Sequence, residues 1–307
     1  MPDERPLPRY PIYVPSYRRY EYCHTAKFLI EDGTPFHLVV QPQERAEYAR
    51  RFGEERVITL PHNVKGLLPT RNWIREHATK AGHERHWQID DNIRYVYRWY
   101  KGVRMYCDSA IALRVTEDFI DRYENVAVAG LNYVMFGVGK QPPFHLNQRV
   151  YSCSLVLNSL PFSWRLRYND DTDLCLQVLA AGWCTVLMNV FLIQKITTMT
   201  VKGGNTDDLY QGDGRLTMAR SLERVWPGVV KTDRRFKRPQ HVVKDEWRRF
   251  DTPLKFKPGL SLDDFKGVNE YGMRLAMKRP IRSEKLRGLI EDNHREIEEL
   301  EAAQDGG

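Results

Sequence analysis

The residues best equipped for chemistry fall in a few short runs. His86-Trp87-Gln88-Ile89-Asp90-Asp91-Asn92 places two carboxylates and an amide just after an apolar stretch. Oxygen groups in this arrangement suit Mg2+ or Mn2+, ions that bridge to phosphate oxygens. The same trio also favours an ordinary strand-ending turn, and alone it reads more simply that way. Upstream, Thr70-Arg71-Asn72 opens a helical pattern. Thr70 is placed to cap that helix, and an arginine in its first turn makes an anion site. The bland alternative is a surface arginine on a capped helix. A second acidic run, Tyr168-Asn169-Asp170-Asp171-Thr172-Asp173, leads into another helix. Acids at a helix start are favoured by the dipole whatever their function. Finally, Lys202 beside Gly203-Gly204-Asn205 could hold phosphate oxygens through its charge and the loop's N–H groups, or could be a plain surface turn.

Short β-like runs and helical patterns must position these groups. Pro11 to Val14, Phe36 to Gln41, Arg56 to Leu60 and His86 to Ile89 read as strands. Helical patterns at Tyr20 to Glu31, Arg45 to Phe52 and Thr70 to Gly82 separate them. The second half adds strands at Val126 to Leu131, Tyr151 to Leu157 and Cys184 to Val190, with helices at Ser109 to Tyr123 and Thr172 to Ala181. This alternation predicts an α/β fold with a mostly parallel central sheet flanked by helices. Ligands of such sheets bind at the carboxyl ends of the strands. Regularity fades after Thr198, which sets a core of residues 1–215 and a basic extension of residues 216–307. Ser283 to Ala303 carries an apolar stripe and predicts a terminal amphipathic helix, packed on the body or forming a homodimer seam.

The order of the motifs resembles the GT-A (Rossmann-like) class of glycosyltransferases: an Arg-Asn helix, then a strand, then an acidic metal motif. Pro15-Ser16-Tyr17-Arg18-Arg19 after the first strand and Gln41-Pro42 after the second stand where that class grips a nucleotide. The resemblance implies donor contacts at Pro15, Ser16, Tyr17, Arg18, Gln41, Arg71, Asn72, Asp90, Asp91 and Lys202. It places the metal on Asp90 and Asn92 and leaves Asp91 for ribose or sugar hydroxyls. Asn-Asp-Asp-Thr-Asp-Leu resembles the acceptor-side motif and implies Asp171, or next Asp170, as general base, while Asp173 caps the helix or faces solvent. No late histidine metal ligand follows in 192–213, which leaves Gln194, Lys195 or the Lys202 loop to serve the diphosphate. Within the class, the pattern from residue 10 to residue 260 is most similar to the TET-associated glycosyltransferases of bacteriophages. That likeness implies sugar transfer from a UDP-sugar, with UDP-glucose the first choice, to the hydroxyl of 5-hydroxymethylcytosine in double-stranded DNA.

Bulk properties agree with a nucleic-acid partner. The 307 residues are 42% hydrophobic and 28% charged, with net charge +7 and a pI near 9.1. Ten basic residues lie between Lys231 and Lys257 against four acidic ones. Arg234, Arg235, Lys237, Arg238, Arg248 and Arg249 are therefore candidates for neutralising DNA phosphates. Trp226, Phe236, Trp247 and Phe250 could stack on an extruded base, or pack a small subdomain. Five widely spaced cysteines without a CxxC pair predict reduced thiols. No apolar run approaches the ~20 residues of a membrane span. A cytoplasmic protein is expected, in the host cytoplasm if the gene is a phage's. The same fold acting on a protein, lipid or polysaccharide acceptor is the principal alternative; a nucleotidyltransferase and a non-catalytic nucleic-acid binder are two others.

Overall fold

The computed structural model describes residues 5–61, 66–100, 103–137, 141–196, 214–235 and 238–268. The described strands are β1 (Ile12–Pro15), β2 (His37–Val40), β3 (Val57–Thr59), β4 (Arg85–Ile89), β5 (Ile93–Tyr100), β6 (Val103–Tyr106), β7 (Val126–Tyr133), β8 (Phe144–Leu146), β9 (Cys153–Leu157), β10 (Cys184–Lys195), β11 (Val230–Arg235) and β12 (Arg238–Val243). The helices are α1 (His24–Glu31), α2 (Arg45–Phe52), α3 (Leu67–Lys80), α4 (Ser109–Ile120), α5 (Asp170–Ala180) and α6 (Gly214–Val225).

One sheet organises the molecule, in the order β3-β2-β1-β4-β9-β7-β10-β5-β6, with β8 paired to β10. β3, β2, β1 and β4 run parallel, as do β7 and β10. β9 lies antiparallel between β4 and β7, and the far edge is antiparallel through β5 and β6. The central strands β1, β4 and β9 are buried at every position, as expected of strands covered on both faces. This is the expected α/β class, with a GT-A-like, Rossmann-type arrangement of a large mixed sheet flanked by helices. Gly130 in β7 is required by close packing: a Cβ there would stand 2.1 Å from the Cys153 carbonyl oxygen.

Two helix starts differ from the reading of the sequence. α3 begins at Leu67, after Gly66 at φ 108°, so Thr70 does not cap it. The Thr70 hydroxyl instead donates back to the Gly66 carbonyl at 3.3 Å. Pro69 sits in the first turn, where its missing N–H costs nothing, and Arg71 and Asn72 therefore fall in the second turn. α5 begins at Asp170, preceded by Asn169 in the left-handed region at φ 57°.

The boundary expected after residue 215 falls inside a shared core. Leu176 and Leu179 of α5 pack with Leu222 of α6, Val229, Val230 and Trp247. One compact unit runs from Met1 to Leu260 and a second from Ser261 to Gly307. In the second, a 3-10 turn at Leu262–Phe265 is capped by Ser261, whose N–H and hydroxyl both donate to Asp264. The amphipathic segment 283–303 lies outside the described residues. All five cysteines are free and buried. No described helix is long and apolar enough to cross a membrane.

Candidate functional site

The carboxyl ends of β1, β2, β4, β7 and β10 and the start of α5 surround a cleft of about 280 Å³. Its charged lining is balanced: Arg19, Arg71, Arg167 and Lys195 against Asp90, Asp91, Asp170 and Asp171. The two acidic runs, far apart in the chain, meet here on one side chain. Arg71 projects from α3 and is 2% exposed. Its guanidinium lies 3.3 Å from Asp90, 3.0 Å from Asp170 and 3.4 Å from Asp171. Arg71 is itself fixed by Gln88, which accepts from Nη1 at 3.2 Å and donates to the Arg71 carbonyl at 3.0 Å. The Trp164 ring lies 5.8 Å from the same guanidinium.

Lys195, at the end of β10, completes the cluster. Its ammonium donates to Asp90 Oδ2 and to Ser152 Oγ, each at 2.7 Å. Burial alone would raise the Asp90 carboxyl, but Lys195 and then Arg71 outweigh it and hold it at about 2. Asp170 moves the other way. Burial and the neighbouring Asp171 push it up to about 7, against the pull of Arg71. Asp171 is also raised, by burial, with Arg71 again opposing. The cleft therefore holds one carboxylate that stays ionised and an adjacent pair that takes up a proton near neutrality, the division of labour used where one group binds charge and another moves a proton.

Asp91, which lines the same cleft, is also engaged. Arg19 Nη1 lies 2.7 Å from one oxygen, and the Ser16 hydroxyl donates to the other at 2.8 Å. Burial raises the Asp91 carboxyl, with Arg19 and Ser16 opposing. Asp91 thus anchors Arg19, which lines the cleft together with Pro15, Ser16, Tyr17 and Gln41. Arg18 is not in the lining: its φ is 54°, its N–H donates to Glu44 at 2.6 Å, and its guanidinium covers the Tyr17 ring at 5.1 Å. Asn72 is also outside. It clamps Trp164, donating to that residue's carbonyl at 2.7 Å and accepting from its N–H at 3.1 Å. Its helical position turns it toward the backbone that supports Arg71, not toward the cleft. Lys202 lies outside the described residues.

The expected divalent-metal site does not fit this arrangement. Both Asp90 oxygens already face cations, Lys195 and Arg71. Asn92 offers a buried Oδ1 without a hydrogen-bond partner, yet one amide oxygen beside a doubly paired carboxylate is a thin ligand set for a hard ion. Among the described residues, no group of three or more His, Cys, Asp or Glu side chains could hold a metal.

Other expectations change with burial. Asp173 neither caps nor meets solvent: it is 0% exposed. Arg165 grips it through two nitrogens, each at 2.9 Å, and the Trp226 indole donates to it at 2.7 Å. Trp226 is therefore committed to this network, Trp247 is 8% exposed in the core it shares with α5, and Phe250 packs against that core. These three aromatics serve packing. Phe236 and Lys237 lie outside the described residues, as does the Arg235 side chain. Arg234, Arg238, Arg248 and Arg249 are exposed, so the basic face of this segment persists without the stacking. Sequence reasoning passed over Arg19, Tyr133, Tyr151, Ser152 and Arg167, which all line the cleft. Arg19 adjoins a residue that was singled out, whereas nothing local marks the others.

A search of curated proteins finds no match to this chain. The family model for TET-Associated Glycosyltransferase matches residues 10–204. That span holds both acidic runs, Arg71 and Lys195, and covers well over half of the sequence, so the chain belongs to the TET-associated glycosyltransferase family.

Proposed function

We propose that this glycosyltransferase takes a sugar from a UDP-sugar and places it on the hydroxyl of 5-hydroxymethylcytosine in DNA. The observation that carries the reading is the convergence of Asp90, Asp170 and Asp171 on the Arg71 guanidinium in one cleft. The nucleotide lies along Pro15, Ser16, Tyr17, Arg19 and Gln41, and its diphosphate meets Lys195 and Arg71. These are fixed cations in a confined space, where charge stabilisation is strongest. Asp90 orients Lys195 and is not itself a ligand of the nucleotide.

Asp171 accepts the proton of the acceptor hydroxyl as its oxygen attacks the anomeric carbon, and the bond from that carbon to the diphosphate breaks. Asp170 shares that proton-accepting pair. A base raised above the ordinary carboxylate range, as burial raises Asp171, accepts a proton more readily than an ordinary carboxylate does. The DNA acceptor is supported by the family and by the basic surface at Arg234, Arg238, Arg248 and Arg249. The test is incubation with UDP-glucose and other UDP-sugars, using hydroxymethylated and unmodified DNA, followed by mass analysis of the nucleosides. A hexose added only to the hydroxymethylated base supports the reading. No added mass with any donor refutes it.

A further inference from the structure

Residues 93–106 carry no motif used above, yet they combine exposed aromatic and basic side chains. They hold four basic residues (Arg94, Arg98, Lys101, Arg104), five Tyr or Trp and no acid. β5 and β6 form an antiparallel hairpin at the end of the sheet, with β6 as its last strand. All four β6 residues are exposed. Tyr95, Tyr100, Met105 and Tyr106 are 39%, 45%, 51% and 54% exposed. The register pairs Tyr97 with Tyr106 and Trp99 with Arg104, so the pleat sets Tyr95, Tyr97, Trp99, Arg104 and Tyr106 on one face.

The Tyr95 and Tyr106 rings meet edge-on at 5.9 Å, and the Arg104 guanidinium covers Trp99 at 5.5 Å. The Tyr106 hydroxyl donates to Asp32, which holds that ring in place. On the other face Arg98 covers Tyr100 at 5.4 Å, beside exposed Arg94. Arg104 also donates to the Gly137 carbonyl at 2.9 Å, which joins the hairpin to exposed Met135 and Phe136.

We infer that this hairpin grips the nucleic-acid acceptor. The inference rests on the DNA-acceptor reading above and adds where the strand lies. Exposed aromatic rings interleaved with arginines, with no acid within residues 93–106 and Asp32 engaged by the Tyr106 hydroxyl, complement a polyanion that carries stackable bases. An apolar protein partner would gain nothing from the arginines. Position agrees. Ile93 pairs with Lys195 at the cleft, and β5 leads away from it for eight residues, roughly 26 Å at strand spacing. A strand lying on the hairpin is thereby directed into the cleft. Near β11 and β12, by contrast, the described aromatics Trp226, Trp247 and Phe250 pack in or against a core cluster.

The experiment measures binding of a fluorescent hydroxymethylated DNA oligonucleotide by anisotropy, for the full chain and two paired variants: Tyr95→Ser with Arg104→Gln, and Arg94→Gln with Tyr100→Ser. UDP affinity, measured by calorimetry, reports that each variant is folded. The expected result is at least ~10-fold weaker DNA binding in each pair, the scale of one lost base stack with its charge, at unchanged UDP affinity. Tyr95→Phe and Tyr100→Phe keep their rings and should retain binding. If the wild type binds the DNA and both pairs bind equally well, the hairpin assignment is wrong and the acceptor reading survives. If the pairs alter only self-association on size-exclusion chromatography, the hairpin is a contact between copies and the inference is overturned. If the wild type neither binds nor glycosylates DNA, the acceptor reading falls and takes this inference with it.

Discussion

Replacing Arg71 by methionine tests the core of the site most directly. The substitution keeps most of the side-chain volume and removes one charge. In the wild type that charge lies within 3.4 Å of Asp90, Asp170 and Asp171, with only 2% of the residue exposed. Without it, Asp90 keeps its pair with Lys195, while Asp170 and Asp171 lose the guanidinium that lies between them and Asp90. Removing one partner of a buried ion pair costs about 3–5 kcal/mol, chiefly because the remaining charge is left uncompensated. For a chain of this size about 2 °C of melting temperature corresponds to 1 kcal/mol, so at pH 8 the variant should melt about 6–10 °C lower.

The pH dependence separates this account from a packing defect. Asp170 already sits at about 7 with Arg71 present, and losing the guanidinium raises it further. At pH 5 Asp170 holds a proton, the repulsion fades and most of the deficit should vanish. Calorimetric melting of wild type and variant at both pH values is the assay. A deficit of equal size at pH 5 and pH 8 would show that Arg71 acts by filling space, and the electrostatic reasoning would be refuted.

Asp171→Asn should leave UDP affinity intact and lower transfer about 10²–10⁴-fold, the usual worth of a positioned base; wild-type turnover in that variant would remove the assignment. Because the base works only when ionised and burial raises the Asp171 carboxyl, transfer by the wild type should rise with pH above the ordinary carboxylate range, whereas stability should fall across pH 4 to 7, below the Asp170 value of about 7. In that window the folded Asp170 holds a proton that the unfolded chain has released, and Asp170→Asn should flatten the stability slope. Lys195→Met should weaken UDP binding about 10–100-fold, the worth of a charge-assisted hydrogen bond, while a chelator leaves wild-type binding unchanged. UDP binding that requires added Mn2+ would show that a metal, not Lys195, meets the diphosphate.

The architecture of the donor half and the two acidic runs are legible in the local order of residues. Apolar runs such as Ile12 to Val14 and Trp87 to Ile89 announce buried strands, and their alternation with helical patterns dictates a sheet with ligands at its carboxyl ends. That order did not announce β5 and β6, whose interleaved tyrosines and arginines lack a clean apolar face, nor α6, β11 and β12, where charge masks the periodicity. The partners of each charge were decided only by the tertiary structure. Asp90 reads as a metal ligand until β10 delivers Lys195 and α3 delivers Arg71. Asp173 reads as a cap until Arg165 and Trp226 close over it. Local sequence sets which groups stand at a strand end or a helix start, whereas desolvation and opposite charge, brought by segments remote in the chain, decide whether such a group binds, transfers a proton or merely holds the fold together.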